Sequence, residues 1–211
     1  ITNCFLERND PREVLISRDK KLFKDLDKNS IIGTSSFRRE FQLKNLRNDL
    51  NYKIIRGNVD TRIKKLNDKI YDAIILSLAG INSLNFNNHI SQIFSINEVI
   101  PSAGQGVVAL QCRESDNNII EILKKINDQK NYQCIIAERN VLKVLEGDCE
   151  TAIGAISTIN NKKITLEAEL FSLDGTKRYY HKETKDIDYA SELGLKVGEI
   201  LKKESKGSYK K

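Results

Sequence analysis

The chain of 211 residues is long enough for one large domain or two ordinary ones. Apolar positions recur with clear periodicity from Val14 to Leu201, which excludes a disordered chain except at the C-terminal tail, and no apolar run approaches membrane-spanning length. The net charge is +6, but the excess is lysine dispersed over predicted helix faces, which indicates a solvated surface and not a nucleic-acid interface.

The first half of the chain repeats one pattern three times between residues 30 and 84. A short apolar run precedes a turn of small residues, and amphipathic helical patterns follow. The runs are 31–32, 53–55 and 73–78, and the turns after them are 33–39, 56–62 and 77–83. Buried strands that alternate with such helices predict an α/β fold with a parallel-type sheet. Ligands bind at the carboxyl ends of such strands, so the three turns should share one edge.

The second half predicts a different style of fold. The loop PSAGQG at 101–106 precedes an apolar run at 107–110, which predicts one more buried strand, and a charged helix is predicted at about 117–126. A looser segment at 128–133 precedes a helix that is predicted to end near Gly147. Alternating runs around Asn160-Asn161 and Asp174-Gly175 predict hairpins. This part of the chain should therefore be an α+β domain with an antiparallel sheet and a final helix.

Four arginines fall on the predicted edge of the first sheet. Arg38 and Arg39 follow Ser35 and Ser36 at a helix N-terminus, where free N–H groups already favour an anion. The other two are Arg56, at a strand end, and Arg62, one turn into the next helix. Guanidiniums bind carboxylate or phosphate bidentately, and separated arginines suit several spread carboxylates better than one compact phosphate. The phosphate-binding patterns GxxxxGK[ST] and GxGxxG are absent from these turns.

The cysteines Cys4, Cys112, Cys134 and Cys149 are far apart, which predicts no metal site and a reducing compartment. Only Cys149, in LEGDCETAIG, stands in a loop from which a thiolate could reach a cleft between domains. A lone cysteine without a nearby histidine is more often a structural residue, so the pattern by itself favours no chemistry there.

The motifs IGTSSFRRE, RGNVDTR, YDAIILSLAGI, PSAGQGVVALQCR and ERNVLKVLEGDCETAIGA, in this order, closely resemble those of the porphobilinogen deaminases, also called hydroxymethylbilane synthases. The resemblance runs from ERNDPRE to about Gly175. It implies a transferase of tetrapyrrole (haem) biosynthesis that joins four porphobilinogen units head to tail, releases ammonia and frees hydroxymethylbilane by hydrolysis. It also implies a dipyrromethane cofactor on a thioether to Cys149, a role that the cysteine pattern alone did not favour.

The resemblance assigns roles to the residues already singled out. It implies catalytic roles for the four arginines, Arg38, Arg39, Arg56 and Arg62, which would neutralise and orient the carboxylates of the growing chain. It implies that the cofactor is bound by Cys149, Ser35, Ser36, Arg38, Arg39, Arg56, Ala79, Gly80 and Gln105. Ala79 and Gly80 are expected in a strand-end loop that faces the cofactor.

Several features depart from the family pattern. The N-terminal part with its HSxKD motif, which supplies the catalytic Asp, has no counterpart here, and the chain starts at Ile1 without any methionine. We therefore expect a processed or truncated chain that is inactive by itself. The resemblance implies that 1–10 is a remnant of domain 1, 11–100 is domain 2, 101–127 returns to domain 1 and 128–211 is domain 3. Ser83 stands where an arginine is usual, and Asp148 replaces a glycine beside Cys149.

The expected partners are porphobilinogen, the growing polypyrrole and the missing N-terminal portion, with no nucleic acid and no membrane, and the complete enzyme should be a monomer. The compartment should be the cytoplasm or a plastid. The alternative from another class is a non-catalytic anion-binding module of the periplasmic-binding type, which would share the strand-end site but would carry no adduct on Cys149.

Overall fold

The computed structural model describes residues 2–148 and 150–210, which fold around three sheets. The strands are β1 (Thr2–Phe5), β2 (Glu13–Ser17), β3 (Ile31–Gly33), β4 (Asn51–Lys53), β5 (Ala73–Ser77), β6 (Gln92–Ile93), β7 (Ala109–Gln111), β8 (Ile153–Asn160), β9 (Lys163–Phe171) and β10 (Arg178–Asp186). The helices are α1 (Phe37–Leu46), α2 (Val59–Asn67), α3 (Leu78–Ser83), α4 (Asn117–Ile126), α5 (Gln129–Leu145) and α6 (Ala190–Ser205). None of these helices is long and apolar enough to cross a bilayer.

The first sheet has five strands in the order β4-β3-β5-β2-β6. The strands that the repeated pattern predicts, β3, β4 and β5, are parallel, whereas β2 and β6 run antiparallel to their neighbours. Alternate residues of β2 enter different cores: Val14 and Ile16 join the cluster with Ile63 of α2, and Leu15 joins the cluster with Leu43 of α1. The sheet is therefore buried on both faces, and the α/β prediction is confirmed with a mixed sheet.

The second half contains an antiparallel sheet in the order β10-β9-β8, as the hairpin signals predict. One face of β9 is formed by Ile164, Leu166, Ala168 and Leu170, which are all fully buried. Helices α5 and α6 cover that face, and their buried residues belong to the same core cluster. This arrangement is the predicted α+β part of the fold.

Strand β7 and helix α5 differ from the sequence prediction. Strand β7 pairs with β1 in a two-stranded sheet, and Val108 before it is 57% exposed, so the prediction of a buried strand at 107–110 is wrong. Within the described residues no further strand covers it. The looser segment predicted at 128–133 is also wrong, because the Asp128 carboxylate accepts a bond from Asn131 N (2.6 Å) and starts α5. Helix α5 ends at Leu145, before EGDC as the sequence predicts, but its left-handed capping residue is Glu146, with φ of 52°, and not Gly147.

Two chain segments, 6–12 and 99–107, run side by side between the sheets. Asn9 N donates to Gly106 O (2.8 Å), and Leu6 N donates to Val108 O (3.0 Å). Gly106 has φ of +80°, and a Cβ atom there would lie 2.4 Å from Asn9 O. Only glycine permits this close approach, so the GQG motif fixes how the two segments meet.

Candidate anion-binding site

The turn after β3 places two arginines at the carboxyl edge of the first sheet. Ser36 is the N-cap of α1, and its hydroxyl accepts a bond from Arg39 N (3.4 Å). Arg38 and Arg39 therefore occupy the first turn of the helix, as the sequence predicts. The helix N-terminus adds its own positive potential to theirs.

Glu13, the first residue of β2, reaches the same edge because β2 runs antiparallel to β5 and pairs Glu13 with Ser77. Its carboxylate is fully buried and contacts both guanidiniums, with Arg38 Nη2 at 2.7 Å and Arg39 Nη2 at 2.8 Å. Burial alone would raise the pKa of Glu13, but the charges of Arg39 and Arg38 outweigh it and hold the pKa below its usual value. The sequence analysis missed Glu13.

Arg38 is fixed on every side and only 5% exposed. Besides Glu13, it donates from Nη1 to Ile100 O (2.7 Å). The Gln42 side chain also donates to Ile100 O (2.9 Å) and accepts a bond from Ile100 N (2.5 Å). Gln105, a predicted cofactor residue, donates to Glu13 Oε1 (3.0 Å) and to Pro11 O (2.6 Å). Burial lowers the pKa of Arg38, an effect that Glu13 opposes. Arg38 therefore connects α1 to the segment 99–107.

One hydrogen-bond donor of Arg39 is not used by the described residues. Its Nε is buried and has no hydrogen-bond partner among the described residues. Burial and the nearby charge of Arg39 lower the pKa of Arg62, so these two guanidiniums lie close together. Arg62 also donates from Nε to Gly57 O (2.7 Å). Arg56 is exposed, and in the described part of the chain its guanidinium makes no ion pair.

The remaining predicted residues lie around this edge with their polar atoms engaged. The Ser35 hydroxyl donates to Ile55 O, and the Ser83 hydroxyl donates to Ala79 O (2.9 Å). Ala79 and Gly80 lie inside α3 and not in a loop, because the Ser77 hydroxyl caps that helix and accepts from Gly80 N (3.4 Å). The expectation of a strand-end loop at Ala79-Gly80 is therefore wrong.

A cleft of about 460 Å³ joins the arginines to the loop that contains Cys149. Its lining residues are Ser36, Arg38, Arg39, Ser102, Ala103, Gln105, Leu142, Gly147, Asp148, Thr151 and Ile153. Cys149 itself lies outside the described residues, but Asp148 and Thr151 on either side of it line the cleft. A larger groove of about 600 Å³ lies along α5, but the buried cations of α1 do not line it.

A strand-edge cleft that is lined by guanidiniums and contains a spare N–H donor has the chemistry of an anion-binding site. Two family models cover most of the chain. Residues 1–121 match "Porphobilinogen deaminase, dipyromethane cofactor binding domain", and residues 132–203 match "Porphobilinogen deaminase, C-terminal domain". The chain belongs to the porphobilinogen deaminase family.

Individual relatives agree with this assignment. The porphobilinogen deaminase of Desulforamulus reducens is 38% identical over 201 residues, which cover 95% of this chain and 65% of the relative. That of Rickettsia bellii is 39% identical over 198 residues, which cover 93% of this chain and 66% of the relative. The chain thus spans about two thirds or slightly less of the length of these relatives.

Similarity to solved structures is partial. An arginine-specific periplasmic binding protein of Salmonella typhimurium shares 15% identity with a TM-score of 0.38, over 58% of this chain and 56% of that chain. The ArgBP of T. maritima shares 16% identity with a TM-score of 0.35, over 58% of this chain and 53% of that chain. Similarity at this level carries no argument about the site.

Proposed function

We propose that this chain is the arginine-rich and cysteine-bearing part of a hydroxymethylbilane synthase. The enzyme would join four porphobilinogen units head to tail with release of ammonia, and hydrolysis would free hydroxymethylbilane. One observation carries the proposal: the buried guanidiniums of Arg38 and Arg39 and the residues that flank Cys149 line the same cleft. Membership of the family supports the reaction class.

The described residues fit a dipyrromethane attached to Cys149. Each pyrrole ring brings two carboxylates, and the cleft offers cations and a buried Arg39 Nε that lacks an acceptor. An N–H donor buried without an acceptor is costly, and a ligand carboxylate would satisfy it. When bound, such a group supplies the pyrrole carbon that is joined to the next unit. Ser35, Ser36, Ala79, Gly80 and Gln105 would complete its surroundings.

We assign different tasks to the four arginines. Arg39 and Arg62, whose charges interact, would hold one carboxylate between them, and exposed Arg56 would meet incoming units. Arg38 would contribute charge from a fixed position, because its hydrogen bonds already join it to Glu13 and Ile100. Groups held in place before the reaction cost little reorganisation as charge develops.

The rest of the enzyme would come from the part of the relatives that this chain does not span. That part should supply the acid expected from the HSxKD motif, so the 211-residue chain alone should not turn over porphobilinogen. In this division 1–10 and 101–127 belong to domain 1, 11–100 is domain 2, and 128–211 is domain 3. The complete enzyme would be a monomer without nucleic-acid or membrane partners. The relatives compared are bacterial, which favours the cytoplasm over a plastid.

The first test is the intact mass of the purified chain, followed by peptide mapping. An adduct of dipyrromethane size on the Cys149 peptide is expected when the missing portion is supplied during assembly. Assembly without any adduct on this peptide would overturn the proposal in favour of a non-catalytic anion-binding module.

The second test removes the arginines in the completed enzyme. Replacement of Arg38 and Arg39 by alanine should abolish cofactor retention or chain elongation, because the ligand carboxylates would lose their partners in a partly dry cleft. Arg18→Ala is the matched control, since Arg18 forms an ion pair with Asp72 at the opposite edge of the same sheet. Normal assembly and elongation in the double variant would contradict the role assigned to the arginines.

A further inference from the structure

The last described residues of the chain turn back onto the antiparallel sheet. Helix α6 ends at Ser205, and Lys206 and Gly207 both adopt left-handed conformations, with φ of 48° and 76°. Two successive left-handed residues reverse the chain direction, which is a common way to end a helix. We call residues 206–210 the tail.

The tail is anchored in the protein core. Ser208 O accepts a bond from Leu173 N (2.9 Å), and the Ser208 hydroxyl lies 3.0 Å from the Tyr179 hydroxyl. Tyr209 is only 2% exposed and belongs to the core cluster between α5, α6 and the antiparallel sheet. Burial of an aromatic side chain of this size stabilises the position of the tail.

From this position the tail reaches the start of the loop 146–151, which we call the cysteine loop. Lys210 Nζ donates to the carboxylate of Glu146, the left-handed residue that ends α5. The hydrogen bond and charge of Lys210 lower the pKa of Glu146, and Lys202 of α6 adds to this effect. A cavity of about 140 Å³, lined by Asp148 and Thr151 on one side and Tyr209 and Lys210 on the other, separates the tail from the loop.

The opposite side of the same loop forms a wall of the arginine cleft, through Gly147, Asp148 and Thr151. The loop is internally braced, because Asp148 Oδ1 accepts bonds from Glu150 N (2.9 Å) and Thr151 N (3.0 Å). The Glu146 end joins this braced turn to the end of α5, where Gly147 N donates to Leu142 O (3.0 Å). The tail thus lies on one side of the cysteine loop, and the other side of the loop lines the arginine cleft.

The acidic residues of the cysteine loop make its contact with Lys210 relevant to the cleft. The cysteine loop carries three acids, Glu146, Asp148 and Glu150, next to a cleft that has cations suited to carboxylates. Glu146 does not line that cleft, and its carboxylate is directed to Lys210 instead. An acid that pointed into the cleft would repel a carboxylate ligand and compete for the guanidiniums. Lys210 thus pairs with one acid of the loop on the side away from the cleft.

We infer that the tail is a positioning element for the cysteine loop, with Lys210 as the positioning residue that holds the Glu146 end. The importance of that loop for cofactor attachment rests on the proposed function, whereas the mechanical contact does not. Loss of the Lys210 contact should loosen the backbone on both sides of Cys149 and leave the fold intact.

Amide hydrogen exchange of the peptide that spans residues 146–152, measured by mass spectrometry on the 211-residue chain, tests the inference. Lys210→Glu should accelerate its exchange by about two- to fivefold, a modest change because an exposed ion pair contributes little. The charge-swapped double variant Glu146→Lys with Lys210→Glu should restore the original rate. Lys203→Glu, on the exposed face of α6, is the matched control and should leave the rate unchanged.

Each outcome decides the question. Unchanged exchange in Lys210→Glu, or a double variant that stays fast, would overturn the inference. Equal acceleration by Lys203→Glu would also overturn it, because the effect would then come from general charge. Exchange is measured without any cofactor, so a missing adduct on Cys149 would contradict the proposed function and leave this result standing.

Discussion

Glu13 is the single carboxylate that holds both guanidiniums at the head of α1. Two positive charges packed side by side repel each other, and the buried acid between them reduces the net charge of the trio to +1. The trio therefore forms a cationic surface whose side chains are held in place before any ligand binds. The position of Arg38 and Arg39 depends on a residue 25 positions earlier in the chain.

Glu13→Gln tests this dependence. The amide has the same shape but no charge, so two buried cations would remain without a counter-ion. Removal of one member of a buried ion pair costs about 3 kcal/mol in the free energy of unfolding. Urea denaturation should show a loss of this size, whereas Glu121→Gln, in an exposed pair with Lys124, should cost about 0.5 kcal/mol or less. Equal small losses would show that Glu13 does not hold the arginines.

The difference in unfolding free energy between the original protein and Glu13→Gln should change with pH in a definite direction. Because the folded protein holds the pKa of Glu13 below its usual value, its stabilising effect is complete above the unfolded pKa and is lost as the pH falls through the folded pKa. The stability difference between the two proteins should therefore be largest near pH 7 and shrink below about pH 4. Glu138 and Glu169, whose pKa values burial raises, act in the opposite direction but are present in both proteins. A difference that grows on acidification would contradict the assignment.

The sequence could predict the arginines but not their counter-ion. Arg38 and Arg39 follow a capping serine, and a helix N-terminus with two arginines indicates an anion site by local chemistry alone. Glu13 opens an apolar strand, where an acid usually faces solvent. It is buried only because β2 runs antiparallel and brings its first residue to the edge where β5 ends, and local patterns do not determine strand direction.

At the scale of elements, α1 connects the two halves of the protein. Phe41 on its outer side packs against Phe171 of β9, with ring centroids 5.8 Å apart, and belongs to a small core cluster with Ala152. Gly175, in the hairpin turn after β9, has φ of 70° and lies directly against the Phe41 ring. Helix α1, which carries the arginines, thus packs against the antiparallel sheet of β8, β9 and β10.

Gly175→Ala should disturb the packing of α1 against the antiparallel sheet. A Cβ atom at Gly175 would lie 2.5 Å from the Phe41 ring, in addition to the conformational cost of a left-handed alanine, about 1 kcal/mol. Gly207→Ala is the matched control, because Gly207 has a similar φ of 76° and no atom within 4 Å of its Cβ position. Thermal unfolding should show a loss at Gly175 that exceeds the loss at Gly207 by roughly 1–3 kcal/mol. Equal losses would mean that the ring moves aside freely.

The sequence predicted most elements, and the failures have separate physical causes. The predicted helix at 117–126 matches α4, and hairpin signals at 160–161 and 174–175 locate the turns of the antiparallel sheet. The apolar run at 107–110 predicts burial, but burial depends on a covering partner that periodicity cannot show. The start of α5 was missed because the Asp128 cap was not recognised as one.

At the scale of the whole molecule, one ion pair links the segment 6–12 near the N-terminus to α5 in the second half of the chain. Arg8 Nη2 contacts Glu138 Oε1 at 2.7 Å, and the Glu138 carboxylate also accepts bonds from Gly104 N and Ser157 N, both at 2.8 Å. Glu138 is fully buried, and burial raises its pKa although Arg8 opposes the shift. Three separate segments of the chain therefore converge on one carboxylate of α5.

Arg8→Gln should weaken this junction in a pH-dependent way. Without Arg8 the buried Glu138 loses its counter-ion, and the cost should reach about 3 kcal/mol where Glu138 is ionised. Because the raised pKa favours proton binding in the folded state, the variant should recover stability as the pH falls, so its deficit should be larger at pH 8 than at pH 5. Arg12→Gln, in a more exposed pair with Asp10, is the control for urea denaturation. A deficit independent of pH would contradict this account.

Helix α4 exposes a row of isoleucines. Ile119, Ile122 and Ile126 follow helical spacing and are all exposed, while Leu123, one turn from Ile119 on the same side of the helix, is buried. Together with exposed Val108 near β7, they form an apolar surface that no described residue covers.

The 211-residue chain should therefore bind a hydrophobic dye such as ANS and self-associate with rising concentration, since uncovered apolar surface of this kind promotes association. Replacement of Ile119, Ile122 and Ile126 by glutamine should lower both signals with little change in unfolding free energy, because the three side chains bury little area. The control replaces three exposed apolar residues of the first half, Leu46, Ile54 and Ile70, in the same way. A larger loss of dye binding in that control would show that the surface responsible for dye binding is not the apolar row of α4.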